Sequence, residues 1–197
     1  MKKIILATQN AGKIREFAQM MEKYEIEVLS LLDLNYTDEI EETGATFEEN
    51  ALIKAREIAS QYNAIVVADD SGLEIDALKG APGVYSARYA GDTCHDDANM
   101  DKVLAELKEV PDHQRTARFV CTLAVIDEQG KETLVRGTCE GKIWHEKRGS
   151  GGFGYDPIFY LPKLGKTMAE LLKDEKNALS HRGQAFKKLA LIMGELL

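Results

Sequence analysis

Cysteine is scarce in this 197-residue chain, and its three cysteines, Cys94, Cys121 and Cys139, lie far apart. Their odd number and wide spacing match neither a disulfide framework nor a zinc site. We therefore expect a reducing compartment, the cytoplasm. Long apolar runs are also missing, so we expect neither a secretory signal nor a membrane-spanning helix.

An excess of basic residues is likewise absent. The 25 Lys and Arg residues face 33 Asp and Glu residues, which gives a formal net charge of −8 at pH 7. Nucleic acids and anionic membranes attract proteins with a net basic face, so the composition argues against both as partners. A small basic pocket for one phosphorylated ligand is still compatible with this charge.

The pattern of apolar residues predicts an α/β fold. An apolar run at residues 2–7 precedes helical spacing that starts at Ile14, and a second short apolar run follows at 26–29. Strand, helix and strand in this order build a parallel sheet. Farther along, residues 118–127 and 132–144 flank a short turn and predict an antiparallel hairpin.

A second helix and a buried strand are predicted between these regions. Thr46-Phe47-Glu48-Glu49 has a hydroxyl at the cap position and a carboxylate three residues on, which indicates a helix start. Residues 64–68 are all apolar, as is typical of a strand covered on both faces, and we expect that strand to end at Asp69. Residues 1–197 are thus expected to form a single domain with a mixed sheet and no separate linker.

The segment from Ala7 to Lys13 joins the first predicted strand to the first predicted helix. Free backbone N–H groups and the helix dipole favour an anion at such a position. Asn10 suits the cap of the helix, and Lys13 is one turn into it. Taken alone, however, the segment favours an ordinary capped turn with a solvated lysine.

Asp69 and Asp70 are adjacent carboxylates at the predicted end of a buried strand, where open α/β sheets bind their ligands. A hard divalent cation such as Mg²⁺ would relieve their mutual repulsion. Glu41 and Glu42 offer a second source of carboxylates. An acidic turn is the plain alternative, because Asp and Gly are frequent turn residues.

A glycine-rich segment, residues 149–157, contains two aromatic side chains and an aspartate. Glycines at this density permit a ligand to approach the backbone closely. Phe153 could stack on a base, and Asp156 could accept a hydrogen bond from a base N–H. A flexible connector is the alternative, but connectors favour Gly and Ser over aromatic residues.

Cationic residues near the carboxyl terminus complete a set of groups suited to a nucleotide. Lys176 and Arg182 supply donors for phosphate or for a carbonyl oxygen, with His181 beside them. Arg88 is a further candidate cation. Cations for phosphates, carboxylates for a metal and aromatic rings for a base together indicate an enzyme that acts on nucleotide phosphates.

These motifs resemble, in order and over nearly the whole chain, those of the inosine triphosphate pyrophosphatases. Thr8-Gln9-Asn10-Ala11-Gly12-Lys13 is similar to the T-x-N-x-x-K signature of that family. The other matching blocks are EETG at 41–44, TF at 46–47, ENA at 49–51, ADDSGL at 68–73, GAPG at 80–83, YSARY at 85–89, GGFGYDP at 151–157 and SHRG at 180–183. Each block is weak alone, whereas the set is highly specific.

The resemblance implies an elongated, mixed α/β fold with two lobes around a central substrate cleft, usually as a homodimer. It implies hydrolysis of XTP, ITP and dITP to the monophosphate and pyrophosphate, which cleanses the nucleotide pool. It also implies that Glu41 and Asp70 hold Mg²⁺ and that Asp70 activates water. The residues that would contact the substrate are Thr8, Gln9, Asn10, Ala11, Gly12, Lys13, Ser71, Phe153, Gly154, Tyr155, Asp156, Lys176, His181 and Arg182.

Two rival functions fit many of the same residues. A related fold serves pyrophosphatases of modified pyrimidine or methylated nucleotides. A non-catalytic nucleotide sensor would keep the cations and aromatic rings but would have no use for a carboxylate that activates water.

Overall fold

The structure is a computed structural model that describes residues 3–24, 26–91 and 95–196, so Cys94 and residue 2 lie outside it. The main elements, in chain order, are β1 (Lys3–Leu6), α1 (Ala11–Met21), β2 (Glu27–Ser30), α2 (Phe47–Ala59), β3 (Ile65–Ile75), α3 (Asp96–Glu106), β4 (Thr116–Ile126), β5 (Glu132–Ile143), β6 (Phe159–Leu161), β7 (Lys166–Thr167), α4 (Lys173–Leu179) and α5 (His181–Leu196).

The strands form one seven-stranded sheet in the order β2-β1-β3-β4-β5-β6-β7. β1 pairs in parallel with both β2 and β3. β6 pairs antiparallel with β5 and with β7. The sheet is therefore mixed and flanked by helices, which confirms the predicted α/β class.

Two helices begin where the sequence predicts, because a side chain satisfies backbone N–H groups at each start. The Asn10 side chain accepts hydrogen bonds from the backbone N–H groups of Gly12 and Lys13 at the start of α1. Thr46 and Glu49 form the reciprocal capping box at the start of α2. Each cap satisfies N–H groups that would otherwise have no partner within the helix.

The predicted end of the third strand is wrong. β3 does not stop at Asp69 but continues to Ile75, so that both aspartates lie inside the strand. Leu73 and Ile75 beyond them are fully buried, which continues the apolar face of the strand. Buried carboxylates are tolerated there because cations from neighbouring elements pair with them, and the sequence of the strand alone does not show those cations.

The chain divides into two compact units. The first unit comprises Met1–Asp70, Cys121–Gly137 and Arg182–Leu197, and the second comprises Ser71–Val120 and Thr138–His181. In the described part of the chain, no helix is both long and apolar enough to span a bilayer.

The first unit has a core on each face of its strands. Ile4 and Ile5 point to opposite faces, as successive strand residues do. Ile4 packs in the cluster that contains Phe17 of α1 and Phe186 of α5. Ile5 packs in the cluster that contains Ile58 of α2. Strand β1 is thus covered on both faces, which positions its carboxyl end beside the start of α1.

The second unit has a large apolar cluster of its own. Leu73 and Ile75 of β3 pack there with Val103 of α3, and Tyr155 of the glycine-rich segment belongs to the same cluster. Tyr155 also donates a hydrogen bond from its hydroxyl to the carbonyl oxygen of Ser86, at 2.6 Å. The segment that contains Phe153 and Asp156 is therefore anchored at Tyr155.

Candidate active site

The first unit contains a group of charged side chains that we call the carboxylate–cation cluster. Its members are Lys13, Glu16, Glu42, Lys54, Asp69, Asp70 and Arg182, joined by ion pairs of 2.5–3.2 Å. Four carboxylates and three cations give these groups a net charge of −1 when all are ionised. This balance favours a cationic ligand.

Asp69 is held by two cations. Its Oδ1 lies 2.5 Å from Lys13 Nζ, and its Oδ2 accepts from Arg182 Nε at 2.8 Å. Burial opposes the charged form, yet Arg182 and Lys13 hold the pKa of Asp69 well below its usual range. Asp69 is therefore ionised and links Lys13 to Arg182 within the cluster.

Asp70 has a different environment from that of Asp69. Its Oδ1 accepts a hydrogen bond from Lys54 Nζ at 3.2 Å, while its buried Oδ2 has no hydrogen-bond partner among the described residues. Burial raises the pKa of Asp70, and the nearby charges of Lys54 and Lys13 only partly oppose this effect. A buried oxygen without a partner is costly in a folded protein and marks a place for a ligand.

Lys54 is the cation that joins Asp70 to a second carboxylate. Lys54 Nζ donates to Glu42 Oε1 and to the backbone oxygen of Asp69, both at 2.9 Å. Burial opposes its charge, but Asp70 and Glu42 together raise the pKa of Lys54. Lys54 is thus a charged residue on the buried face of α2.

The carboxylate oxygens of the cluster are donors of the kind that Mg²⁺ accepts. No group of three His, Cys, Asp or Glu side chains within the described ranges is arranged to hold a metal. Mg²⁺ commonly uses one or two carboxylates and completes its shell with water and substrate phosphates. Asp70 Oδ2, which accepts no hydrogen bond from the residues that the structure describes, is a ligand atom of the right kind for such an ion.

Of the two predicted acidic neighbours, Glu42 enters the cluster through Lys54. The Glu41 side chain is exposed, and none of the contacts described for Asp70 involves it. Its expected role as a magnesium ligand therefore stays a prediction.

The predicted triphosphate segment is a tight turn held by its own side chains. Thr8 Oγ1 accepts from the backbone N–H of Asn10 at 3.1 Å, and the Asn10 side chain caps α1. Gln9 Nε2 donates to the backbone oxygen of Tyr36. Lys13, the charged side chain of this segment, belongs to the carboxylate–cation cluster.

Two predicted residues of the second unit, Phe153 and Lys176, contact a third, Asp156. Asp156 Oδ2 accepts from Lys176 Nζ at 2.6 Å and from the backbone N–H of Phe153 at 3.0 Å. Lys176 Nζ also lies 4.9 Å from the centre of the Phe153 ring. An aromatic ring, an ammonium group and a carboxylate are thus joined in one group, which offers a planar ligand both a stacking surface and hydrogen-bonding partners.

Gly152 permits this arrangement. Its φ is +76°, and a Cβ atom at this position would collide with Asp156 Oδ2 and would lie 3.0 Å from Lys176 Nζ. A glycine is therefore required both by the backbone conformation and by the close approach of the ion pair.

The other predicted residues of the second unit occupy varied positions. His181 is buried and stacks on Phe119, with 4.7 Å between the ring centres. Ser71 is half-buried in β3. Gly154 donates its backbone N–H to Asp96 Oδ2 at 2.7 Å. Arg88 is exposed and lies over the ring of Tyr85.

Sequence reasoning missed Glu16 and Lys54 in the first unit and Asp96 in the second. Lys54 left a signal, because it falls on the same face of α2 as the apolar residues Ala51, Ala55 and Ile58. A lysine within a buried stripe needs a carboxylate partner. Glu16 and Asp96 left no comparable signal.

Comparison with known proteins shows which family the chain resembles. The Ham1 family model matches residues 4–192. A dITP/XTP pyrophosphatase from Bacillus cereus is 58% identical over 96% of this chain and 93% of its own length. A second, from Bacillus subtilis, is 55% identical over 98% of both chains.

Solved structures agree as well. A Ham1 protein from Coxiella burnetii is 46% identical, covers 99% of this chain and 100% of its own, and superposes with a TM-score of 0.89. The Ham1 protein of Staphylococcus aureus is 45% identical over 98% of this chain and 100% of its own, with a TM-score of 0.87. The resemblance found in the motifs is therefore confirmed, and the chain belongs to the Ham1 family.

Proposed function

We propose that this chain hydrolyses XTP, ITP and dITP to the nucleoside monophosphate and pyrophosphate in the presence of Mg²⁺. Membership of a family whose relatives, 52–58% identical, bear the name dITP/XTP pyrophosphatase makes the chain a nucleoside triphosphate pyrophosphatase. The observation that carries the finer proposal is Asp70, a buried carboxylate whose Oδ2 accepts no hydrogen bond from the described residues.

The carboxylate–cation cluster would bind the phosphates of the substrate together with Mg²⁺. Asp70 would hold Mg²⁺ with Glu41, and the ion would neutralise part of the phosphate charge when bound. Lys13 and the start of α1 would stabilise the negative charge that develops on pyrophosphate. Thr8, Gln9 and Asn10 form the turn before α1, and Ala11 and Gly12 are the first two residues of that helix.

Asp70 would also activate the attacking water. The water oxygen bonds to the α-phosphorus as the bond from that phosphorus to the α–β bridging oxygen breaks, and pyrophosphate leaves with this oxygen. Asp70 takes the proton of the water.

The group around Asp156 would recognise the base. Phe153 would stack on the purine, and Asp156 would accept from N1–H. Lys176 or His181 would donate to the 6-carbonyl oxygen. Adenine lacks both the N1 proton and the carbonyl oxygen, so it would leave polar groups of the protein unpaired.

The decisive experiment is a substrate panel in which the products are identified. ITP, XTP, dITP, ATP, GTP and modified pyrimidine triphosphates are each incubated with the protein and Mg²⁺. Pyrophosphate should form from the first three, and chelation of the metal should stop the reaction. Release of single orthophosphate, or equal turnover of ATP and ITP, would contradict the proposal.

The Asp70→Asn variant distinguishes the enzyme hypothesis from the hypothesis of a non-catalytic nucleotide sensor. The variant keeps the size of the side chain but loses the charge that holds the ion and accepts the proton. Turnover of dITP should fall by about 10²-fold or more, while much of the nucleotide affinity remains. Nucleotide binding by the wild-type protein without any turnover would favour the sensor.

Three broader expectations belong to the same proposal. The protein would act in the cytoplasm, form a homodimer and keep non-standard purines out of DNA and RNA. Light scattering coupled to size exclusion measures the assembly, and a mass of one chain would contradict the dimer. Accumulation of dITP in cells that lack the protein would support the role in the nucleotide pool.

A further inference from the structure

Glu16 lies on the same face of α1 as Lys13, one turn farther along the helix. Its Oε2 is 2.5 Å from Arg182 Nη1, and Arg182 is the second residue of α5. The same guanidinium donates from Nε to Asp69 Oδ2 at 2.8 Å. Arg182 thus lies between two carboxylates, one on α1 and one on β3.

The contacts continue from Asp69 back to α1. Asp69 Oδ1 is 2.5 Å from Lys13 Nζ, so Glu16, Arg182, Asp69 and Lys13 alternate in charge along a continuous chain of ion pairs. The chain is neutral as a whole. It is also well buried, since the side chains of Arg182 and Asp69 are 3% and 2% exposed.

A guanidinium favours a two-bond, planar pairing with a single carboxylate. Such a pairing between Arg182 and Asp69 would draw both carboxylate oxygens to the arginine and would compete with Lys13. In the structure, Glu16 holds the guanidinium at Nη1 while Asp69 Oδ2 accepts from Nε, so the orientation of Arg182 depends on both carboxylates. In this arrangement Asp69 Oδ1 contacts Lys13.

We propose that Glu16 is a positioning residue that divides the guanidinium of Arg182 between two carboxylates and thereby keeps Lys13 on Asp69. Glu16 itself does not touch the substrate. It acts through Arg182 and Asp69 to keep the Lys13 ammonium group at the start of α1, where the proposed function requires it for the triphosphate. The inference rests on that proposed function only for the role given to Lys13.

The first test measures the position of Lys13 without any nucleotide. The protein is treated with a limiting amount of an acetylating reagent, and modification of Lys13 is compared with that of Lys3 by peptide mass spectrometry. Lys3 serves as the internal reference because its side chain is 58% exposed. Glu16→Gln should raise the relative modification of Lys13 several-fold, whereas an unchanged ratio would overturn the proposal.

Glu22→Gln is the matched control for this test. It makes the same chemical change at an exposed carboxylate just after α1. The ratio of Lys13 modification to Lys3 modification should stay at the wild-type value in this variant. Equal increases in Glu16→Gln and Glu22→Gln would mean that net charge alone alters Lys13, and would also overturn the proposal.

The second test is a double-mutant cycle on hydrolysis of dITP, with Glu16→Gln, Lys13→Met and both together. Coupled residues deviate from additivity, whereas independent effects on stability add. Glu16→Gln should lower kcat/KM about tenfold in the wild-type background but less than about twofold in Lys13→Met. Equal losses in both backgrounds would show that Glu16 does not act through Lys13.

The Glu16→Asp variant is the control for a general folding defect in both tests. It retains the negative charge but shortens the side chain, so it should restore part of the activity lost in Glu16→Gln while both variants melt within a few degrees of each other. No restoration at equal melting temperatures would contradict the proposal. If the wild-type chain hydrolyses no nucleotide, the proposed function fails, and the Lys13 modification test still decides the role of Glu16.

Discussion

Replacement of Lys54 by methionine would remove the buried cation that joins Asp70 to Glu42. Methionine has nearly the same length and flexibility as lysine, so the change mainly removes charge and hydrogen bonds. Lys54 Nζ lies 3.2 Å from Asp70 Oδ1 and 2.9 Å from Glu42 Oε1. Both carboxylates would lose their cationic partner, and Asp70 is itself buried.

The size of the effect follows from these distances. At 3.2 Å, one ion pair is worth about 5 kcal/mol with an effective dielectric constant of about 20, before the cost of burying Lys54 is subtracted. Breaking a buried pair from one side typically costs 3–5 kcal/mol. We expect a loss of about 3 kcal/mol in the free energy of unfolding, or about 6–12 °C in melting temperature.

The loss should depend on pH. The pKa of Lys54 is raised in the folded protein, so its stabilising contribution is complete at neutral pH and is lost only as the pH rises through that pKa. Without Lys54, the pKa of Asp70 rises further. Protonation of Asp70 as the pH falls then removes the buried charge, so the deficit should shrink between about pH 7.5 and about pH 5.

Differential scanning calorimetry at both pH values is the assay, with Lys3→Met as the matched control. Lys3 forms a surface ion pair with Glu27 at 3.1 Å, and such exposed pairs contribute less than about 1 kcal/mol. Similar losses for Lys54→Met and Lys3→Met would refute the reasoning. So would a Lys54→Met deficit that is the same at both pH values.

Three further predictions concern catalysis and the base. Because burial raises the pKa of Asp70 in the protein without metal, the affinity for Mg²⁺ should begin to fall above the ordinary aspartate range as the pH is lowered, and a fall confined to that range would contradict the assignment. Gly152→Ala should raise KM for dITP about tenfold, because its Cβ would strike Asp156. Gly154→Ala has the same kind of backbone strain, at a φ of +62°, but meets no atom within 4 Å and should have the smaller effect. Phe153→Ala should weaken dITP binding by about 1–3 kcal/mol while the affinity for inorganic triphosphate is unchanged, and equal losses for both ligands in calorimetric titrations would exclude stacking.

Local signals in the sequence were sufficient for the elements at the amino terminus. The starts of α1 and α2 depend on Asn10 and on the Thr46–Glu49 pair, which lie within a few residues of the N–H groups they satisfy. The apolar runs of β1 and β2 likewise predict strands, and the short helical connection between them favours the parallel pairing that the structure shows.

The course of β3 could not be predicted in the same way. Two aspartates followed by Ser and Gly are typical of a turn. Local propensity does not include the distant cations that neutralise the charges of these aspartates. Lys13, Lys54 and Arg182 come from three separate helices and reach the aspartates only in the folded chain. Tertiary contacts therefore override the local preference at the candidate site.

The sequence by itself determined the family, the α/β class and the residue types of a nucleotide enzyme. Motifs and apolar periodicity involve residues that are close together in the chain, so they can be recognised without the structure. Only the tertiary structure decided the partner of each charge. Two neighbouring aspartates of one strand point to opposite faces and therefore meet different surroundings, a doubly paired site for Asp69 and a singly paired one for Asp70. Electrostatic interactions act between residues far apart in sequence, so the different roles of Asp69 and Asp70 arise only on folding.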